Sequence, residues 1–312
     1  MNLTIHPLIV LLFFPGGLFL LASGLVFQWA DRKLVARFQN RVGPRFLQPL
    51  ADMLKLLAKE EIIPAGAHRG LFIALPIIAL ASALTAALYV PMFGVQPFFS
   101  FQGDLIVTIY LLSALTISLG LAGANSVDRF SLVGATRTLT QLFSYEAPFL
   151  LAMIGPALAA QSWQISKINA FAGETTWFIV AQPIGFLVAL VGLMGKLELP
   201  PFDAPEAETE IVAGALTEYS GRGFALFRLA KDIELVIGLT LVAAFYLGGV
   251  SNPLEFLLKT GGLLLVMALL QTAFARLRID QTVGLWWRVG ALMGLVQILA
   301  ILAGIYIRQW WL

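Results

Sequence analysis

Apolar stretches of about 20 residues recur along the whole chain, each long enough to cross a hydrocarbon core of roughly 30 Å. Eight can be marked out: 8–29, 71–93, 104–124, 139–161, 177–196, 232–250, 258–276 and 285–307. A helix satisfies its own backbone hydrogen bonds in lipid, so these runs predict an all-α integral membrane protein of about eight transmembrane helices. A transmembrane barrel would need alternating segments of about 10 residues and is excluded. Only 12% of residues are charged, against about 25% in a soluble domain. The first segment is expected to be retained, since no basic residue precedes it and its apolar core has the length of a span. The longest remaining stretches, 30–70 and 197–231, are too short to hold a core of their own, so 1–312 reads as one polytopic domain.

Basic residues are distributed very unevenly over the connections. Seventeen of the twenty, from Arg32 and Lys33 to Arg288, fall at connections after the odd-numbered spans; only Lys167, Lys259 and Arg308 fall on the other side. By the positive-inside rule both termini lie outside, and loops 30–70 and 197–231 face the cytoplasm. Within the first loop, "LQPLADMLKLLAKE" (47–60) places Leu47, Leu50, Leu54, Leu57 and Ala58 at helical spacing, predicting an amphipathic helix at the interface or against a partner.

The second loop holds "LELPPFDAPEAETEIVAGALTEYSG" (197–221), which carries six carboxylates and no lysine or arginine. Asp203 is placed as a helix N-cap with Glu206 three residues on. On a helix begun there, Glu206 and Glu210 share a face and repel. Beside the membrane such crowding predicts carboxyls that hold protons near neutral pH, hence a proton-exchanging site. Glu208 and Glu218 lie in the same segment. Two further carboxylates lie in spans: Glu146, just before Pro148, which should distort its helix, and Glu234, which follows Asp232. A mid-bilayer charge costs about 2.5–3.5 kcal/mol on insertion scales, so these groups should face protein or water. Asp104, Glu174 and Glu255 are expected as solvated helix ends on the opposite face.

Cysteine is absent, which rules out disulfides and any iron–sulfur cluster held by this chain alone. His6 and His68 are the only histidines, an argument against haem held by a histidine pair. Nucleotide-binding glycine motifs, zinc motifs and nucleophile triads are missing. The basic loop fits anionic lipid or an acidic partner better than nucleic acid.

"RVGPRFLQPLADMLKLLAKE" (41–60), "NSVDRFSLVGATRTLTQLFSYEAP" (125–148), "LPPFDAPEAETEIVAGALTEYSGRGFAL" (199–226) and "ARLRID" (275–280) together resemble the subunit 1 family of respiratory complex I. That family includes the matching subunits of energy-converting nickel–iron hydrogenases and other ferredoxin-linked complexes. The resemblance implies eight spans, both ends outside, no cofactor in this chain, and cytoplasmic loops docked under a peripheral redox arm. Arg41, Gly43, Pro44, Gln48, Asp52, Lys55 and Lys59 would contact that arm, with Arg45 in the same stretch. Arg137, Glu146, Asp203, Glu206, Glu210 and Glu218 would begin a buried acidic path toward antiporter-like and small membrane subunits. Glu208, Asp232, Glu234 and Lys196 join it as neighbours.

Quinone-reducing members carry a longer segment between the "GP" and "LQP" motifs; here only Arg45 and Phe46 separate Pro44 from Leu47. That shortening resembles the ferredoxin-linked branch and implies a role within a membrane-bound nickel–iron hydrogenase in a prokaryotic cell membrane. Iron–sulfur clusters and a nickel–iron centre would then sit in hydrogenase-like partner subunits. The alternative is a quinone-binding subunit of an NADH dehydrogenase-type complex. An independent transporter, or a passive membrane anchor, fits less well.

Overall fold

The computed structural model describes residues 12–14, 16–174 and 178–311, without the side chains at 208, 305 and 307–311. Every regular element among them is helical: α1 (Gly17–Phe38), α2 (Gln48–Ala58), α3 (Arg69–Ala87), α4 (Asp104–Asn125), α5 (Arg129–Ala159), α6 (Ile165–Glu174), α7 (Phe178–Ala181), α8 (Pro183–Lys196), α9 (Glu208–Ile211), α10 (Gly221–Tyr246), α11 (Pro253–Ala273), α12 (Ile279–Leu285) and α13 (Ala291–Trp311). A π-helical turn, Trp286–Gly290, joins α12 to α13. Five helices are long and apolar enough to cross a membrane: α3, α4, α5, α11 and the continuous Ile279–Gly304. Among the described residues, α8 is apolar but shorter.

Hydropathy alone misplaces the ends of the two helices that carry the most chemistry. α5 starts at 129 rather than 139, because Asp128 Oδ2 accepts from the N–H groups of Phe130 and Ser131 (2.9 and 3.0 Å) and caps it. It runs unbroken through Pro148 and Pro156. α10 starts at 221, eleven residues before the apolar run, and carries Arg222, Arg228, Lys231, Asp232 and Glu234. From Leu229 to Tyr246 its residues are almost all buried. A helix buried all round belongs at the centre of a bundle, and α10 packs against α1, α2, α3, α8 and α11. α4 lies between α3 and α5, and α5 continues the ring to α8 and α13.

The connections gather at two ends. At one end 39–68, 126–128, 197–220 and 274–278 interlock, through Leu277 N–H to Pro201 O (2.9 Å) and a reciprocal pair between His68 and Asn125. At the other end 88–103, 160–174, 178–182 and 247–252 meet, as in Val250 N–H to Asn169 Oδ1 (2.8 Å). Asp104 is not a solvated end: it is fully buried there, with Oδ1 accepting from Ile165 N–H (2.7 Å) and Oδ2 from Ser100 Oγ (3.2 Å).

Helix α2 forms over the expected stretch, with its leucine stripe turned outward. Pro49 and Met53 face inward, Met53 against Ala225 and Leu229 of α10, whereas Leu47, Leu50, Leu54 and Leu57 are exposed. Before it, Lys33 Nζ donates to Val42 O (2.7 Å) and ties down the Gly43–Pro44 turn. Gly43 adopts φ +71°, where a Cβ would press on Lys33 and Ala36.

Candidate functional site

The acidic loop 197–220 is held by cations from other elements. Arg276, in the α11–α12 connection, meets Asp203 with Nε and Nη2 at 2.8 and 2.5 Å. Arg137 of α5 donates to Glu210 Oε2 at 2.8 Å and to Ala204 O at 3.2 Å. Lys231 of α10 donates to Glu198 Oε2 at 2.5 Å and also to Glu206. Gln141 Nε2 bonds both Gly195 O and Phe202 O, each at 2.8 Å, and seats the loop against α5. At Gly134 the loop comes so close that a Cβ would land on the backbone of Gly214 and Ala215.

The expected local grammar of this loop needs correction. No helix begins at Asp203; 203–206 forms turns, and α9 spans only Glu208–Ile211 with Ala207 at its N-cap. Asp203 therefore does not cap a helix, and Glu206 and Glu210 do not share a helical face. The physical reason is tertiary: Asp203, Glu206 and Glu210 each meet a cation brought by another element, and those contacts hold the segment in turns. The side chain of Glu208 lies outside the described residues.

Deeper in the bundle a second group forms around Lys196, the last residue of α8, whose side chain has 0% exposure. Its Nζ lies 3.7 Å from Glu146 Oε2 and 4.0 Å from Glu234 Oε1, donates to Ser113 Oγ (3.2 Å), and sits 5.5 Å above the Tyr145 ring. Ser113 Oγ in turn bonds Glu146. Glu234 stands three residues from Lys231 on α10, on the same face of the helix, and so places this group beside the loop's ion pairs. Two lysines thus each stand between two carboxylates, Lys231 between Glu206 and Glu198 at the rim and Lys196 between Glu234 and Glu146 inside the bundle. A proton gained or lost at one member changes the field at the next, because burial weakens screening.

Asp232 reaches the rim members of this series from another side. Two residues from Glu234 on α10, it turns to α1, with its backbone and Cβ packed close to Gly24. There it lines a cavity of about 400 Å³ with Gln28, Asp31, Arg32, Arg228 and Lys231 and with the loop residues Glu198 and Glu206. A neighbouring cavity of about 600 Å³ shares Asp31 and Arg32 and reaches Arg41, Gly43, Pro44 and Gln271. Gln271 Nε2 donates to Asp31 Oδ1 at 2.9 Å.

Residues 9–302 match the family described as NADH dehydrogenase. The chain belongs to that family. It is similar to an NADH-quinone oxidoreductase subunit of Dehalococcoides mccartyi (strain CBDB1), with 34% identity over 295 residues, 91% of this chain and 82% of the relative. The corresponding NADH-quinone oxidoreductase subunit of Bacillus cytotoxicus is 37% identical over 277 residues, 83% of each chain. Among solved structures, a chain of the membrane-bound sulfane sulfur reductase, an archaeal respiratory membrane complex, shares the fold. The TM-score is 0.82 at 21% identity, covering 91% of this chain and 96% of that one. The protein is therefore a membrane subunit of an oxidoreductase complex, of the complex I subunit 1 type.

In this family member, Glu146, Lys196 and Glu234 converge, Arg137 meets Glu210, and Glu206 joins through Lys231. Glu218 is half-buried at the loop's end, beside Tyr219. Asp52 of the docking stretch pairs with Arg32 at 3.7 Å and accepts from Gln48 Nε2 at 2.9 Å. Sequence reasoning overlooked Glu198, Lys231 and Ser113 as site members, along with Asp31, Gln271 and Gln141. Glu198 and Lys231 bracket the acidic segment and were detectable as charges flanking it. Ser113 gave no signal, since a serine inside an apolar helix ordinarily bonds its own backbone, as this one also does at Ile109 O (2.9 Å).

Proposed function

We propose that this protein couples redox chemistry in a peripheral arm to ion translocation through the acidic series that ends at Glu146. The single observation that carries this reading is Lys196, a fully buried cation held between the carboxylates of Glu146 and Glu234. A buried pair of this kind is weak as a stability device and responsive as an electrostatic one. Eight crossings with both termini outside would place the interlocked basic end in the cytoplasm. The arm would dock there on loops 30–70 and 197–231 through Arg41, Gly43, Pro44, Arg45, Gln48, Asp52, Lys55 and Lys59. Electrons would travel through iron–sulfur clusters of the partner subunits in a prokaryotic cell membrane, and ions through antiporter-like membrane subunits.

Quinone is the electron acceptor that the relatives support best, since their names specify an NADH-quinone oxidoreductase. The two cavities that share Asp31 and Arg32 as wall residues offer room beside the docking loop. One observation favours a second reading, a ferredoxin-linked hydrogenase with a nickel–iron centre in its partner: only Arg45 and Phe46 separate Pro44 from Leu47. Purifying the complex and assaying it with NADH plus a short-chain quinone, and with reduced ferredoxin for hydrogen release, decides between them. In vesicles, Glu146→Gln should retain redox turnover and lose most ion uptake per electron. Undiminished uptake would reject the coupling role.

A further inference from the structure

Three prolines stand inside helices among the described residues: Pro76 in α3, and Pro148 and Pro156 in α5. Each lacks the N–H that would bond the carbonyl four residues back, which frees the carbonyls of Phe72, Ser144 and Ala152. Lipid supplies no donor, so a freed carbonyl in a membrane helix needs one from the protein. A tyrosine from another element meets two of the three. Tyr246 Oη donates to Ala152 O at 2.6 Å, and Tyr219 Oη donates to Phe72 O at 3.2 Å.

The two tyrosines differ in what they join. Tyr246 ends α10, so its bond ties one helix to another. Tyr219 lies in the acidic loop, next to Glu218, and ties that loop to the proline site of α3. Its ring stacks flat on Phe72 (3.9 Å between centroids, 2° between planes) and meets Phe227 of α10 edge-on at 5.3 Å. Burial, with the Glu61 carboxylate nearby, pushes the phenol above its usual range, so the hydroxyl remains a donor. From Tyr219 the loop turns directly to the ion pairs: Tyr219 N–H donates to Leu216 O (3.0 Å), and Leu216 and Ala213 line the cavity shared by Glu198, Glu206 and Lys231.

We propose that Tyr219 is a positioning residue, which, through the carbonyl freed by Pro76, sets the reach of Glu206 and Glu198 to Lys231. This rests on the coupling role proposed above. In the intact complex, Tyr219→Phe keeps the stacked ring and removes only the hydroxyl. Tyr246→Phe deletes the same bond away from the loop and serves as the control. Both should lower the Tm by a similar few degrees; only Tyr219→Phe should reduce ion uptake per electron in vesicles, by about twofold or more. Uptake like the parent's in Tyr219→Phe, or an equal fall in Tyr246→Phe, overturns the proposal.

Pro76→Ala returns an N–H to α3, so in that background Tyr219→Phe should cost no further Tm. An equal Tm loss in both backgrounds also overturns it. Lys196→Gln, run in parallel, separates the two ideas. Normal uptake in Lys196→Gln removes the coupling role and this proposal with it. Lost uptake there, with normal uptake in Tyr219→Phe, rejects the positioning role alone.

Discussion

At the rim, Asp203, Glu206 and Glu210 meet Arg276, Lys231 and Arg137, and the side chains of Glu206 and Glu210 remain 51% and 52% exposed. In the interior, Glu146 and Glu234 share Lys196, which has no exposure at all. The rim pairs are close and well aligned, as in the two-pronged Arg276–Asp203 contact, while the interior ion pairs are longer, at 3.7 and 4.0 Å. Glu234 Oε1 receives no hydrogen bond among the described residues. Water near the rim makes charge inexpensive there, so those pairs mainly fix the position of the loop. Burial makes charge costly inside, so the interior group is held less tightly but is far more sensitive to a neighbouring charge. Good geometry and strong electrostatic response therefore occur in different parts of one series.

Removing the interior cation tests this contrast most severely. Lys196→Gln leaves Glu146 and Glu234 facing each other without compensation and should destabilise the protein by about 3–5 kcal/mol. Thermal unfolding of the detergent-solubilised complex reads this, and a Tm equal to the parent's would break the comparison. The next effect acts on the loop's seat. Gly134→Ala forces a Cβ into the backbone of Gly214 and Ala215 and should cost about 1–3 kcal/mol by overpacking. Limited proteolysis should then cut within 197–220 faster than in the parent.

Smaller effects are expected at the rim itself. Arg276→Lys replaces a two-pronged contact by a point charge and should cost about 1 kcal/mol, seen as a modest Tm loss. Glu210→Gln should change stability by less than about 1 kcal/mol, and raising the salt concentration should shrink that difference further. If Glu210→Gln proved as damaging as Lys196→Gln, the division between rim and interior would fail.

Much of this organisation was legible from local pattern. The apolar runs pointed to an all-helical membrane chain, since burial in lipid adds residue by residue, and Glu146 and Glu234 stood out because a carboxylate in such a run is costly. The helix starts at Arg129 and Gly221 were not legible from hydropathy, because polar helical turns beyond the apolar run carry no apolar signal. The acidic segment drew notice for lacking lysine and arginine, yet its cations arrive from positions 137, 231 and 276. Its local pattern of Asp, Pro and Glu suggested a capped helix; long-range pairing produced turns instead.

By itself the sequence determined an all-helical membrane chain, the family it belongs to, a strong asymmetry of basic residues, and the prolines that free carbonyls. These follow from the transfer energy of single residues and from the backbone chemistry of proline, both properties of local sequence. Only the tertiary structure decided that Lys196 faces Glu146 and Glu234, that Asp232 turns to α1, and that Tyr219 finds the carbonyl of Phe72. Such pairings act over a few ångströms between residues far apart in the chain, 147 positions for Tyr219 and Phe72, and the packing of helices alone brings them within reach.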